Sequence, residues 1–415
     1  MRKKVTVIVL IFLWVVSRNM KAYSSGDADL QNFTAEKVVY SDEADWYKNG
    51  KAEFAINIFD EEWKALYTQD EMIAACQIPD KILDKLTTAE LLKLTEEYPL
   101  LSNMYGMDTI EEGFQYIVSS FNGLQELLTR EDCLEAVCEE YCNLVIPEEE
   151  IMDFSSCRTE EQMVAYANEI LEDEEMLKTA LDDTKALIIC DLLELIMLDK
   201  TTDDNIEILL DIVVDKAEEK ESAECFGFAN KSIYISEMDE NMLSDISAYM
   251  VAETSGTTKK LYWKGVAIDV LVRNNPRNIT QEEAVSQVAP YRDQGASIVY
   301  LGTTKYNCHS YAWLRFAFPT TYDDYGLNIV PDVLMDACTK YSEPHKQSIA
   351  YTVGHSAVIV DATHISYIKS KLEYDPIVKA KWGYYGPVVK APMHVGMYGM
   401  NHDDIEHYYY YGSVK

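Results

Sequence analysis

The chain has 415 residues, which is longer than one hydrophobic core usually supports, and 48% of them are hydrophobic, so we expect two or three domains with substantial cores. The charge is uneven, because residues 26–258 contain 15 Lys and Arg against 56 Asp and Glu, whereas residues 259–415 contain 16 against 15. Binding to nucleic acid depends on clustered Lys and Arg, so this acidic surface excludes a nucleic-acid partner.

The first 25 residues have the pattern of an export signal. Basic residues at Met1–Lys4 precede the apolar run Val5–Val16, and small residues at Ala22 and Ser24 suit cleavage. The run has 12 residues, against about 20 needed to span a bilayer. We therefore expect an exported protein, either secreted, periplasmic or in the cell envelope, with no membrane span after the signal is removed.

Residues 26–222 are predicted to form an acidic, all-helical domain. Thr87 and Thr159 each precede a Glu or Gln by three residues, which is the capping-box spacing, and apolar residues then recur at helical intervals. Asp108 is predicted to start a helix, and Phe121 to lie in the turn before the next one. In all, we expect six to nine helices between about residues 60 and 217, with a solvated acidic surface or, alternatively, a face that binds a protein partner.

Three cysteines of this half, Cys133, Cys138 and Cys142, have a spacing that places some sulfurs on neighbouring helix faces. A metal site is the alternative to core cysteines or disulfides. No His occurs in this half, and no Cys-x-x-Cys pair is present, so we predict no metal and no cofactor.

Residues 223–260 suit a connector, and a different pattern begins at residue 261. Val266–Arg273 alternates as a strand does, Thr280 has the spacing of a helix cap, and Ala296–Leu301 is a second predicted strand. All seven histidines lie between His309 and His407. Chemistry near neutral pH is therefore expected in residues 261–415.

Cys308 is the candidate nucleophile of this second domain. It follows a predicted strand and turn, and it opens the apolar segment Tyr311–Phe318, whose helical character ends before Pro319. At a helix N-terminus, the dipole and the free N–H groups favour thiolate over thiol, which predicts a lowered cysteine pKa and a site for an oxyanion.

His355 is the candidate general base, 47 residues further along the chain. It precedes a run with strong β-propensity that ends at Val360, and Ile365–Leu372 is predicted to return beside that strand after a turn. The overall expectation is α+β: an all-α N-terminal domain, then a papain-like α+β domain in which a helix bearing Cys packs on an antiparallel sheet bearing His.

The string Asn-Cys-His-Ser-Tyr-Ala-Trp at Asn307–Trp313 resembles the nucleophile segment of papain-like secreted bacterial proteins, and its Cys-x-x-Tyr-Ala core is similar to that of CHAP amidohydrolases. The strand that begins at His355 resembles their His-bearing strand, and Lys381–Gly383 resembles a later Lys-Trp-Gly signature. The resemblance covers about 155 residues and implies hydrolysis of amide bonds in peptidoglycan. Residues 76–101 and 121–132 resemble a helical segment of uncharacterised secreted bacterial proteins, which implies no function.

The residue that orients His355 is left open by the sequence. A tight turn at Asp361–His364 would place Ser370 opposite His355, whereas a looser hairpin would bring Glu373 there, and His394 is a third candidate.

Two further groups of residues are predicted to be structural. His309 is next to the nucleophile but points elsewhere on a helix, so a solvent-facing or packing role is expected. His402, His407 and the tyrosines at Tyr408–Tyr411 suit an aromatic edge strand or tail better than a metal or sugar site.

Together these patterns predict a secreted cysteine amidohydrolase or peptidase that cleaves peptide or peptidoglycan through an acyl-thioester on Cys308, with His355 as base. Acyl transfer on the same scaffold is one alternative. A catalytically inactive surface-binding protein is the other.

Overall fold

The structure of the chain is a computed structural model. The structure describes residues 46–48, 50–144, 159–200, 224–228, 231–234, 256–273, 277–318, 325–368, 371–400 and 404–411. The predicted export signal, Cys157 and most of the predicted connector lie outside the described residues. None of the helices in the described ranges is long and apolar enough to cross a membrane.

The described part of the acidic half contains nine α-helices, as the sequence predicted. They are α1 (Glu61–Lys64), α2 (Gln69–Ala75), α3 (Asp80–Leu83), α4 (Thr88–Glu96), α5 (Ile110–Ser120), α6 (Asn122–Thr129), α7 (Cys133–Asn143), α8 (Glu160–Glu172) and α9 (Glu174–Lys200). A 3-10 helix at Leu101–Gly106 and a two-residue hairpin, β1 (Tyr47–Lys48) with β2 (Lys51–Ala52), accompany them. Residues 50–144 and 159–200 are therefore mainly helical, with one short strand pair at residues 47–52.

The predicted helix caps are confirmed, with one exception. A full capping box is formed by each of Thr87, Thr159 and Thr280. In each box, the Thr hydroxyl accepts a hydrogen bond from the backbone N–H of the third helical residue, and the side chain of that residue accepts one from the backbone N–H of the Thr. The predicted helix start at Asp108 is wrong by one residue, because Thr109 forms the capping box of α5. The Asp108 side chain is thereby available for a different contact, described below.

The second half is built on a seven-stranded antiparallel sheet with the order β7-β14-β13-β10-β9-β15-β8. Its strands are β7 (Ser297–Tyr300), β8 (Thr339–Tyr341), β9 (Ile349–Tyr351), β10 (Ser356–Asp361), β13 (Ile377–Lys381), β14 (Val388–Pro392) and β15 (Tyr408–Tyr410). The chain is thus α+β overall, as predicted. The tyrosine strand β15 pairs with both β8 and β9, so the expectation of an edge strand is wrong.

Three hairpins stand apart from this sheet: β3 (Glu224–Phe228) with β4 (Lys231–Tyr234), β5 (Gly256–Trp263) with β6 (Val266–Arg273), and β11 (Ile365–Ile368) with β12 (Lys371–Tyr374). The predicted strand Ile365–Leu372 is therefore wrong, because the chain turns back on itself within that range. The returning neighbour of β10 is instead β13.

The shorter helices of the second half are α10 (Gln281–Val288), α11 (Arg315–Ala317), α12 (Asp332–Asp336) and α13 (Met393–Gly396), with a 3-10 helix at Ala289–Gln294 and a π-helix at Ser310–Leu314. The helical stretch that includes this π-helix begins at Cys308 and packs against β10 and β13.

Both faces of the sheet are buried. Successive side chains of a strand point to opposite faces, and in β10 Ala357 and Ile359 belong to a core shared with the acidic helices, whereas Val358 belongs to a core around the helix that follows Cys308. The helices of the acidic half therefore cover one face of the sheet, and the Cys308 helix covers the other.

The two halves also share buried polar contacts. The indole N–H of Trp63 donates to the carbonyl of Pro290 at 2.9 Å, and the side chain of Gln294 donates to the carbonyl of Leu66 at 2.6 Å. The Ser102 hydroxyl donates to the carbonyl of Ser286. The division into two domains stays a prediction, and these contacts give it a direct test.

Candidate active site

Cys308 is the first residue of its helical stretch, and Asn307 caps that helix. The Asn307 side-chain oxygen accepts from the backbone N–H of Ser310 at 3.1 Å, while its amide donates to Asp108 Oδ2 at 3.1 Å and to the carbonyl of Leu327 at 2.8 Å. The structure therefore confirms the prediction that Cys308 lies at the start of a helix. Its cap is held in place by both halves of the chain.

The Cys308 thiol is enclosed, with 1% of the residue exposed. Burial raises its pKa and outweighs the backbone N–H groups of Ser356 and His309, which favour the thiolate. Asp108 raises the pKa further, and Lys381 opposes it. The expectation of a lowered pKa is wrong for this closed arrangement, because loss of water costs the thiolate more than the helix N-terminus returns.

His355 lies just before β10 and is 2% exposed. Its Nε2 lies 3.2 Å from the carbonyl oxygen of Gly396, which requires the proton on Nε2 and leaves Nδ1 as the unprotonated nitrogen. Burial, with a smaller effect of His309, lowers the pKa of His355 to about 3. The ring is therefore neutral at pH 7, and burial makes it a weak proton acceptor in this closed arrangement.

Cys308 and the segment at His355 lie close together, but their side chains form no hydrogen bond with each other in the described structure. The backbone N–H of Ser356, the residue after His355, interacts with the Cys308 sulfur, and the Tyr398 ring lies 4.8 Å from the His355 ring. Burial and, to a smaller extent, the charge of Cys308 raise the pKa of Tyr398. Within the described part of the chain, no hydrogen bond links the thiol to the imidazole. The two groups are neighbours in a closed site.

Of the three proposed orienting side chains, neither His394 nor Glu373 forms a hydrogen bond with His355 in the described part of the chain. His394 is buried, but its Nδ1 lies 2.6 Å from Asp375 Oδ2. Glu373 lies in β12, opposite Ser366 in the separate hairpin, and Ser370 falls outside the described residues. The group that orients the ring is the Gly396 carbonyl, and a main-chain oxygen has no signature in a sequence.

Lys381 is a buried charged residue that the sequence placed in a signature without assigning it a role. It has no exposed surface, and its Nζ donates to the carbonyls of Gly383 and Tyr384 at 3.1 and 2.9 Å. Burial lowers its pKa to about 7, although the charges of Cys308 and Asp108 act to raise it. β13 contains two lysines, Lys379 and Lys381, and the alternation along the strand does not distinguish the buried one from the half-buried one.

Asp108 is the contribution of the acidic half to the site. Burial raises its pKa to about 6, while the hydrogen bond from Asn307 acts in the opposite direction. Its carboxylate contacts the cap of the Cys308 helix, and its backbone carbonyl accepts from the guanidinium of Arg273 at 3.2 Å. No sequence pattern marks this role beyond the position of Asp108 near a helix start.

Gly106, Met107 and Asp108 form a strap that lies against the site. The Tyr398 hydroxyl donates to the carbonyl of Gly106 at 2.7 Å, and the backbone of Gly383 passes so close to the Met107 carbonyl that an added Cβ would lie 1.9 Å from that oxygen. The strap thus connects the turn after Lys381, the ring beside His355 and the cap before Cys308.

His309 has a packing role, which is one of the two roles predicted for it. Its Nε2 donates to the carbonyl of Val353, and its Nδ1 accepts from the Ser356 hydroxyl at 2.7 Å, which in turn accepts from the indole N–H of Trp313 at 3.0 Å. Burial lowers its pKa to about 4. His309 therefore ties the Cys308 helix to the start of β10.

No group of three or more His, Cys, Asp or Glu residues that could hold a metal ion occurs in the portion of the chain that the structure describes. Cys133 is buried within α7, and His402 lies outside the described residues.

The chain matches no protein-family model, no curated protein and no solved structure.

Proposed function

We propose that this chain is an exported cysteine amidohydrolase or peptidase that acts on amide bonds of peptide or peptidoglycan. The observation that supports it best is the pairing of a helix-start cysteine, Cys308, with a neutral His355 whose Nε2 is held by the Gly396 carbonyl. A helix bearing Cys that packs on an antiparallel sheet bearing His supports the papain-like arrangement.

In the proposed reaction, His355 Nδ1 takes the thiol proton of Cys308, and the sulfur forms a bond to the substrate carbonyl carbon. The backbone N–H groups at the helix start stabilise the oxyanion. The C–N bond then breaks as His355 returns the proton to the leaving amine. Water, deprotonated by His355, attacks the thioester, and the proton passes to the departing Cys308 sulfur.

This reaction requires the site to open. Cys308 and His355 are 1% and 2% exposed, so a polymer substrate cannot reach the sulfur in the closed arrangement. The strap is the element that we expect to move, because Met107 and Asp108 lie between the 3-10 helix and α5 and the strap is held to the site by a few hydrogen bonds. The closed form is then a resting state of the enzyme.

The test is the release of new amino termini from purified peptidoglycan by the wild type, by Cys308→Ala and by Cys338→Ala. Cys338 is another free, half-buried thiol, and it serves as the matched control. We expect Cys308→Ala to abolish release while retaining its circular dichroism spectrum, and Cys338→Ala to retain release. Equal release by the wild type and Cys308→Ala would overturn the proposal.

An inactive binding protein is the second candidate, and the absence of a thiol–imidazole hydrogen bond in the described site favours it over acyl transfer. The two are separated by the rate at which iodoacetamide alkylates Cys308 at different pH values. If His355 activates the thiol, His355→Asn will change that pH profile. If the wild type and His355→Asn both show the pH profile of an ordinary thiol, and the wild type releases no wall fragments, the result would support an inactive binding protein. Its acidic helices would then bind a protein partner.

A further inference from the structure

The His355 ring is fixed by the last residue of a very short helix. Gly396 ends α13, which has four residues, and its carbonyl accepts from Nε2 of His355 at 3.2 Å. A helix of one turn has little stability of its own. The position of the carbonyl must therefore depend on what holds α13.

Asp375 holds α13 at its other end. Its Oδ1 accepts the backbone N–H of His394 at 3.2 Å, and its Oδ2 accepts from Nδ1 of the same residue at 2.6 Å. The Ser366 hydroxyl also donates to Oδ2. Asp375 and His394 are 2% and 3% exposed, so both contacts are shielded from water.

The far end of α13 is pressed onto the sheet. A Cβ added to Gly396 would lie 2.4 Å from a methyl carbon of Val378 in β13, so this close approach requires glycine. With Asp375 at its first turn and Val378 beneath its last residue, α13 has little freedom to move the Gly396 carbonyl.

We propose that Asp375 and His394 are positioning residues for His355: Asp375 anchors α13 through the side chain and backbone of His394, and α13 holds the Gly396 carbonyl on Nε2. The proposal deepens the proposed function, because it rests on His355 as the base. Its consequence is a single tautomer, in which Nδ1 stays unprotonated. His394 acts on the ring through the backbone, although the sequence suggested a direct contact.

The test is the tautomer of His355, read from its ¹⁵N chemical shifts in protein labelled at histidine and assigned with His355→Asn. The wild type is expected to show Nε2–H alone. In Asp375→Asn, which weakens the anchor, we expect the Nδ1–H tautomer to become visible and wall release to fall about tenfold or more. The matched control is Asp361→Asn, which removes an exposed carboxylate at the end of β10.

A folded Asp375→Asn protein with an unchanged His355 tautomer would overturn the proposal. If Asp375→Asn does not fold, His394→Gln and His394→Leu provide the same comparison, since Gln keeps an N–H donor for Asp375 and Leu does not. Retention of the single tautomer in both would also overturn it. The tautomer is measured without substrate, so it tests this proposal alone. The proposed function is tested separately, by whether Cys308→Ala abolishes wall release.

Discussion

Lys381 is a buried ammonium group whose hydrogen bonds are made to two main-chain carbonyls in the turn that follows it. Burial of a cation without water is costly, and the lowered pKa of about 7 expresses that cost. At neutral pH the residue is close to the midpoint of its titration. Its charge acts to lower the pKa of Cys308, so it can change the reactivity of the nucleophile.

The unfolded chain releases the Lys381 proton near pH 10.5, and the folded chain releases it near pH 7. Between these values the unfolded state binds more protons, so this group makes the free energy of unfolding rise with pH. We expect the wild type to gain about 3 kcal/mol relative to Lys381→Met between about pH 7 and pH 9.5, measured by urea unfolding. Lys390→Met, at an exposed position of β14, is the control. Parallel curves for the wild type and Lys381→Met would contradict this.

Several residue roles could be predicted from the sequence because they depend on local spacing. The three Thr capping boxes and the helix-start position of Cys308 are of this kind. The predicted lowering of the thiol pKa is wrong, because the burial of Cys308 and its proximity to Asp108 depend on how distant parts of the chain pack, and Asp108 lies about 200 positions before Cys308. The role of Gly396 has no sequence pattern, because it depends on a main-chain carbonyl 41 positions from His355.

At the scale of elements, the strap meets the turn after β13 at a point where only glycine fits. Gly383 has a φ of +51° and lies against the Met107 carbonyl. The predicted strand Ile365–Leu372 failed at this scale, because a run of alternating residues does not specify its partner. The hairpin β11–β12 pairs with itself, and β13 takes the position beside β10.

We expect Gly383→Ala to lower the free energy of unfolding by about 3 kcal/mol, since the new methyl group must displace the Met107 carbonyl in addition to straining the backbone. Gly265→Ala is a matched control: its φ is +81°, but an added Cβ meets no atom within 4 Å. Strain alone predicts a loss of about 1 kcal/mol there. Equal decreases in the free energy of unfolding for Gly383→Ala and Gly265→Ala, measured by urea unfolding, would show that the Met107 carbonyl does not restrict the residue at position 383.

At the scale of the whole molecule, the sharp change in charge near residue 260 suggested two separate domains, yet one hydrophobic core includes residues from both halves. Surface charge and core membership are different properties of a chain. An acidic helix can present its charges to water and its apolar stripe to the sheet. The capping-box spacing and the apolar periodicity therefore predicted the helical class of the first half, but they did not specify what those helices cover.

A shared core predicts that both halves unfold in one step. The helical signal at 222 nm and the near-ultraviolet aromatic signal should give superimposable urea curves. Trp63→Phe removes the hydrogen bond to the Pro290 carbonyl, and we expect it to shift both curves together by about 1–3 kcal/mol. Tyr67→Phe, at an exposed aromatic position, should shift neither. Two separate transitions would instead support independent domains.

The enclosure of Cys308 has a consequence for oxidation. Peroxides and disulfides react with the thiolate, and a protonated sulfur that is 1% exposed offers them little to attack. Under the proposed export, the chain would meet oxidants that convert an open cysteine to sulfenic acid or a mixed disulfide. The closed arrangement would then keep the sulfur reduced until the proposed opening of the site.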